Sequence, residues 1–453
     1  MTNRYLPWGQ LWKYLGGAAA ARAGDEMSGP ALLLLGLAVT GRPATGSELL
    51  ASVTVAGTVG GPFFGALLDR ARRPDRVLAG TLAAYALGIG AIGAAAGALP
   101  MPFVVVIALT AGLFNPAVAG GWTSQLPRIV TGPELARGSA MDAMTFSTAS
   151  LAGPALAALI AAAFGARLAV ITAAALVGLA VPAACSLRRY PPTRAPGPAQ
   201  AKHRQLAAYR QVTAGFAAIV SRRPLLRATV TSVVSYAGIG MLIVCCPVLG
   251  AQRLGGATRG ALLISAIAVA SLAANAILAR RGWRGKPDIG VFVSTLIIGV
   301  SMAAAALAPG WLTVLAVAVV GAGEGPQLTA VFAVRHRESP EHMRGQIFTT
   351  AASLKIGGMA AGAALAGTLA GRSVTGCLLV AAGIELCAAA AYLLTGRPGR
   401  RSASLDQAAR AAASPRPAQN VPAADRAVAL PRPAEKVRPL TPRSVRQNDR
   451  DLC

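Results

Sequence analysis

Twelve apolar segments follow one another along this chain, at roughly 12–40, 47–68, 76–98, 101–121, 137–162, 166–187, 225–249, 260–280, 288–308, 311–334, 344–371 and 373–395. Each is close to the ~20 residues that a helix needs to cross ~30 Å of hydrocarbon. A bilayer core offers the backbone no water, so each segment must close its hydrogen bonds within itself, as a helix. The expected fold class is an all-α polytopic membrane protein with 12 transmembrane helices in two pseudo-symmetric six-helix bundles.

The basic residues orient the ladder. The gaps after segments two, four, six, eight and ten carry 22 Lys or Arg, among them Arg70, Arg72, Arg73, Arg128, Arg280 and Arg344. The other gaps carry 5: Arg42, Arg167, Arg253, Arg259 and Arg372. The positive-inside rule puts the richer set in the cytoplasm. Both termini are then expected there, in a multi-pass protein of the plasma (inner) membrane. No separate cleavable signal is expected, because the first apolar segment is too long and leads straight into a second.

The formal charge of +26 could point to nucleic acid. Here it sits in loops and tail, beside an anionic leaflet, so membrane lipid is the expected partner and nucleic acid is not. The six cysteines form no CxxC or Cys/His cluster. Neither a disulfide framework nor a metal site is indicated. No phosphate loop, HExxH or GxSxG pattern is present, so no enzyme and no cofactor are expected.

Two halves meet at the longest gap. The expected domains are an N-terminal six-helix bundle (1–187), a cytoplasmic linker (188–224), a C-terminal six-helix bundle (225–395) and a disordered basic cytoplasmic tail (396–453). The linker opens on a Pro-rich stretch, and 203–220 reads as an amphipathic helix with Leu206, Tyr209, Val212, Phe216 and Ile219 on one face. Thr131 with Glu134, and Ser339 with Pro340, resemble helix N-terminal caps at matching places in the two halves. That repetition fits internal duplication, a common transporter plan.

The loop after segment two reads Gly65-Ala-Leu-Leu-Asp69-Arg70-Ala-Arg72-Arg73-Pro74. It resembles the signature loop of the major facilitator superfamily, G-x-x-x-D-R-x-G-R-[RK], matching at Gly65, Asp69, Arg70 and Arg73. Arg72 and Pro74 depart from the pattern. The second-half counterpart, Arg280 to Arg284, keeps the basic positions and lacks the aspartate. The resemblance covers about 1–395 and implies a gating role for this loop. Gly65 lets helices approach, Asp69 faces the N-terminus of the eleventh helix near Arg344, and Arg70 and Arg73 pair across the halves. Ser150 to Ala158 resembles a worn copy of the span-five pattern of drug antiporters in the superfamily, matching outright at Gly153 and Pro154. Span four lacks the intramembrane arginine that many of those antiporters carry.

Charges within the apolar segments are costly and default to function. Arg22, Asp25 and Glu26 stand at mid-depth of the first helix. Arg22 can neutralise one of the acids along the helix, and the acids point about 100° apart, so at most one faces a central cavity squarely. Glu324, between Gly323 and Gly325, is either a ligand or proton site or the structural partner of Lys355. Asp142 is expected to pair with a cytoplasmic-side arginine. The resemblance places the twelfth segment, which carries Glu385, at the periphery, and Glu385 reads there as a structural residue. It also places spans one, four, seven and ten around a cavity lined by Asp25 or Glu26, Asn115, Ser235, Tyr236 and Glu324.

The function expected is a monomeric secondary active transporter that exports a small amphipathic or metabolite-like solute by alternating access, with protons as coupling ion. Alternatives are a proton-coupled importer and a transporter-like sensor or scaffold.

Overall fold

The computed structural model describes residues 8–132, 134–187, 213–256, 259–282 and 285–394. Thirteen α-helices make up the described residues, without a strand: α1 (Trp8–Thr40), α2 (Pro43–Arg70), α3 (Pro74–Ala95), α4 (Met101–Gly112), α5 (Glu134–Phe164), α6 (Ala166–Ser186), α7 (Ala214–Ser221), α8 (Arg223–Arg253), α9 (Gly260–Arg281), α10 (Pro287–Leu307), α11 (Trp311–Glu338), α12 (Arg344–Leu369) and α13 (Val374–Leu394). Among the described residues, eleven spans are long and apolar enough to cross a bilayer. The chain is a multi-pass membrane protein. α1 has the length, at 33 residues, but carries Arg22, Asp25 and Glu26 in its middle.

Local chemistry marks the ends. α1 stops at Gly41, whose φ of +68° suits a residue without Cβ, and Pro43 opens α2 at a position where its missing amide has no helical partner to lose. Prolines open α3 and α10 in the same way. The fourth segment is not one continuous α-helix. α4 ends at Gly112, and after Asn115-Pro116 the chain resumes as a π-helical turn, Ala117–Gly121. Pro116 lacks the amide that would continue the ladder.

The cap expected at Ser339 is not formed. Ser339 Oγ is buried without a hydrogen-bond partner. A 3-10 turn, Glu341–Met343, intervenes before α12 begins at Arg344, so the helix starts five residues beyond the expected cap. Of the expected amphipathic helix, 213–220 is described and contributes most of α7. The Pro-rich stretch and the tail lie outside the described residues.

One apolar core draws on residues between Leu11 and Leu187, a second on residues between Ile239 and Ile384. Across the halves α2 packs on α12, and α5 packs on α9 and α11. α2 and α9 are each second in their half, and α12 and α5 each fifth, so the two main cross-contacts are equivalent by exchange of halves. They run from the ends where the basic loops emerge, at Asp69 and Gly345, to mid-helix, at Gly57 and Ser271. Gly61 N–H donates to Ser353 Oγ at 3.0 Å, Ser353 Oγ–H to Gly57 O at 2.7 Å and Thr349 Oγ–H to Gly61 O at 2.7 Å. Ser147 and Ser271 join α5 to α9 at 2.9 Å. Three of the five basic residues on the sparse side serve helix ends, Arg259 by donating to Leu254 O at the end of α8. Arg167 donates to Ala96 O at 2.8 Å, and Arg253 to Ala305 O, Ala306 O and Ala308 O at 2.6, 2.6 and 2.7 Å, where cations complement the negative end of the dipole.

Candidate solute site and gate

Asp69 ends α2 beside the first turn of α12. Its Oδ1 accepts from Gly345 N–H at 2.8 Å and its Oδ2 from Gln346 N–H at 2.7 Å. Two of the amides that a helix start leaves unpaired are thus held by one carboxylate, which also sits favourably on the dipole. A Cβ at Gly65 would overlap Thr349 Oγ1, so the approach of α2 to α12 requires glycine there. Arg70 and Arg73 are exposed and make no ion pair among the described residues. The cations in electrostatic reach of Asp69 are instead Arg128 and Arg344. Arg128 gave no signal of its own beyond its place in a basic loop.

Above this contact lies an aromatic floor shared by the halves. Phe146 of α5, Phe332 of α11 and Phe348 of α12 stand 6.0 and 6.2 Å apart in succession. Arg22 rests 3.6 Å above the Phe146 ring. It does not pair with its helix neighbours Asp25 or Glu26. It forms a salt bridge to Asp142 at 2.9 Å, with side chains 2% and 0% exposed. Tyr14 Oη–H donates to Asp142 Oδ1 at 2.8 Å, and Thr123 Oγ–H to Oδ2 at 2.9 Å. Arg22 is therefore a structural tie between α1 and α5 and does not face a cavity. Asp142 has an arginine partner, as expected, but from mid-helix and not from a basic loop.

With Arg22 bonded to Asp142 and only in electrostatic reach, Asp25 takes its hydrogen bonds from neutral donors. Its Oδ1 accepts from Tyr85 Oη–H and Asn115 Nδ2–H, each at 2.6 Å. Asn115 is available because the break after Gly112 turns the chain at that point. Tyr85 on α3 is the residue that sequence reasoning missed, since a buried tyrosine in an apolar helix carries no pattern. Glu26, the more exposed of the two acids, accepts from Ser150 Oγ–H at 3.2 Å. A Cβ at Gly153 would stand 2.7 Å from Glu26 Cβ. That glycine, with Pro154 next to it in α5, lets α5 lie against α1 at the level of the acids.

The second half faces them. Tyr236 Oη–H donates to Glu324 Oε1 at 3.1 Å, and Lys355 Nζ stands 3.5 Å from the Tyr236 ring centroid and 5.7 Å from that of Phe146. Glu324 and Lys355 make no direct ion pair, because Tyr236 bridges them. Lys355 is in electrostatic reach of Glu324 and of Glu26. One base is thus shared by an acid from each half. The glycines flanking Glu324 admit neighbouring helices: a Cβ would stand 2.9 Å from Ile298 at Gly323 and 2.6 Å from Ser271 O at Gly325. α11 runs unbroken through Pro326.

Ser235, expected to line the cavity with Tyr236, is fully buried and turns away from it. Consecutive residues point about 100° apart on a helix, and Ser235 meets Glu385 and Gln327 instead. Glu385, on α13, is 0% exposed and lies against Gly238 of α8 and Gly299 of α10. Among the described residues no group of His, Cys, Asp and Glu could hold a metal ion.

The model of the Major Facilitator Superfamily matches residues 14–355. The Escherichia coli fucose:proton symporter superposes with a TM-score of 0.66 at 14% identity, over 86% of this chain and 99% of that one. The human organic anion transporter gives 0.62 at 16%, over 86% and 99%. A bacterial homologue of the iron transporter ferroportin, in its outward-facing state, gives 0.65 at 13%, over 86% and 100%. At such identities the likeness is one of fold. No curated protein sequence matches the chain.

Proposed function

Because this chain belongs to the major facilitator superfamily, by the match over residues 14–355, we propose that it is a secondary active transporter moving a small solute by alternating access. The observation that carries this reading is Lys355, shared between Glu26 of α1 and Glu324 of α11. A base held between acids of both halves is a polar site in a region where charge is costly and functional by default. It changes when the halves move. Asp25, Asn115 and Tyr236 complete the site, with Lys355 positioned on Tyr236 and Phe146.

With the basic loops inside, α1 is the twelfth span, both termini are cytoplasmic, and the bilayer is the plasma membrane. The bundles 1–187 and 225–395 then rock about the site. The contacts of Asp69, Thr349 and Ser353 close the cytoplasmic side, so the conformer is outward-facing. Arg70 and Arg73 act as free cations that can pair once that side rearranges. Export of an amphipathic or metabolite-like solute against protons is the favoured direction, supported by the Gly153-Pro154 element that seats α5 on α1. A proton-coupled importer is the second reading, supported by the proton symporter among the similar folds.

Metabolite profiling of a strain lacking the protein, followed by uptake into everted vesicles under an imposed pH gradient, tests both. Accumulation in everted vesicles marks an exporter, and accumulation in right-side-out vesicles marks an importer. Glu324→Gln and Lys355→Met are each expected to abolish either activity. Full transport by both variants would overturn the site. Removal of 398–453 should leave transport intact, whereas a scaffold that works through the tail would lose its activity.

A further inference from the structure

A third acid lies inside the C-terminal half, away from the band around Lys355. Glu385, midway along α13, is 0% exposed. Its side chain fits only because its neighbours are small: a Cβ on Gly238 would stand 3.0 Å from Glu385 Oε1, and one on Gly299 would stand 3.1 Å from Glu385 Cβ. Oε1 accepts from Ser235 Oγ–H at 2.8 Å. Oε2 is buried and has no hydrogen-bond partner among the described residues.

The donors around it are already committed. Gln327 Nε2 donates one hydrogen to Ser235 Oγ at 3.1 Å and the other to Thr295 Oγ1 at 2.8 Å. Thr295 Oγ–H donates back to Val291 O at 2.7 Å. The chain of donors runs from Gln327 through Ser235 and ends on Oε1, so none of it reaches Oε2.

No base compensates the acid either. On α8, Arg227 is taken at the helix start by Tyr392 O, at 2.6 Å, and by the Tyr392 ring. On α10, Asp288 is paired with Arg337 at 2.8 Å. On α11, Glu324 is in electrostatic reach and has the same sign. On α12, Lys355 rests on Tyr236. A carboxylate here would hold a full charge with one neutral hydrogen bond, the state that burial penalises most. Protonation removes the charge and leaves the bond from Ser235 in place. Asp25 has two donors and Glu324 has a base in reach, so of these three acids Glu385 has the least compensation.

We propose that Glu385 is a proton-binding site, distinct from the band around Lys355, holding a proton on Oε2 while α8, α10 and α13 are packed as in this conformer. Uptake forms one O–H bond at Oε2 from hydronium and leaves water, and release reverses it. α8 connects this site to the solute. Ser235, which holds Glu385, is followed by Tyr236, which holds Glu324, so a movement of α8 that engages solute at Tyr236 also shifts Ser235 from Glu385. This coupling rests on the proposed solute site. The proton-binding site itself does not.

The test is pH-difference infrared spectroscopy on the full chain in liposomes, which needs no solute. A carboxylic-acid carbonyl band that disappears at high pH is expected in the wild type. Glu385→Gln should remove it and Glu324→Gln should keep it. Ser235→Ala should keep the band and move it to higher frequency, because the carbonyl oxygen loses its donor. This variant still reads the site should Glu385→Gln not fold. A band that survives in Glu385→Gln, or that Ser235→Ala leaves at the same frequency, would overturn the assignment. Wild-type protein without such a band at any pH would do the same. Loss of transport in Tyr236→Phe with the band unchanged would support the separation of the two sites. Transport that is normal in Glu324→Gln and Lys355→Met, with the band intact, would count against the solute site alone.

Discussion

Arg22 and Asp142 form a fully buried salt bridge at 2.9 Å that joins α1 to α5 across 120 residues of chain. Removing one partner of a buried pair leaves an uncompensated charge and typically costs ~3–5 kcal/mol. Asp142→Ala is therefore expected to lower folded yield and thermal stability sharply. The double variant Arg22→Met/Asp142→Leu should regain most of both. Thermal unfolding of the three detergent-purified proteins measures this, and a double variant no better than the single would contradict the pairing.

Asp69 holds the amides of Gly345 and Gln346, and hydrogen bonds to a charged group are worth ~1.5–3 kcal/mol each. Asp69→Asn keeps the shape and loses one acceptor oxygen and the charge. It should insert normally, open the α2–α12 contact about ten- to a hundredfold more often, and lose most transport. A cysteine at Ala352, buried in this conformer, should label correspondingly faster. Unchanged labelling together with full transport would reduce Asp69 to a topological charge.

Tyr236→Phe removes the donor to Glu324 and keeps the ring under Lys355. The bond lost is one to a charged group, so transport should fall about tenfold or more while expression stays near wild type. Tyr236→Leu also removes the ring and its cation–π contact with Lys355, and should be worse. Equal activities of the two variants would show that the ring contributes nothing.

Orientation can be read by thiol labelling in a background freed of its native cysteines. Cysteines at Arg72 and Lys286, both exposed, should be shielded from an impermeant reagent in intact cells. Those at Pro100 and Gly371, also exposed, should react. The opposite result would invert the protein and make this conformer inward-facing.

How much could be read without coordinates differs from residue to residue. The depth of Arg22, Asp25, Glu26, Glu324 and Lys355 followed from counting along apolar stretches, because the length needed to cross hydrocarbon is a property of each segment alone. The split of basic residues between alternate loops was equally local. So was the likeness of Gly65 to Arg73 to a family loop.

Partners were not local. Helical spacing placed Arg22 within reach of Asp25 and Glu26, yet the side chain turned to Asp142, where Tyr14, Thr123 and Thr145 also gather. Desolvation acts on whatever surrounds a charge in space, and most of those groups come from α5 and the chain just before it. The same reason separates Ser235 from Tyr236. The helical period puts adjacent residues on different faces, but only the packed bundle decides which face meets Glu385 of α13 and which meets Glu324 of α11. Lys355 settled on Tyr236, and Arg128 came into electrostatic reach of Asp69 beside the expected Arg344, for want of any sequence signal that encodes which helix covers which. The sequence by itself determined the succession of apolar helices and the alternation of basic loops between them, because both are properties of each segment alone. The tertiary structure alone decided which buried charges find partners, as Arg22 and Asp142 do, and which among the described residues keep an unpartnered atom, as Glu385 and Arg335 do.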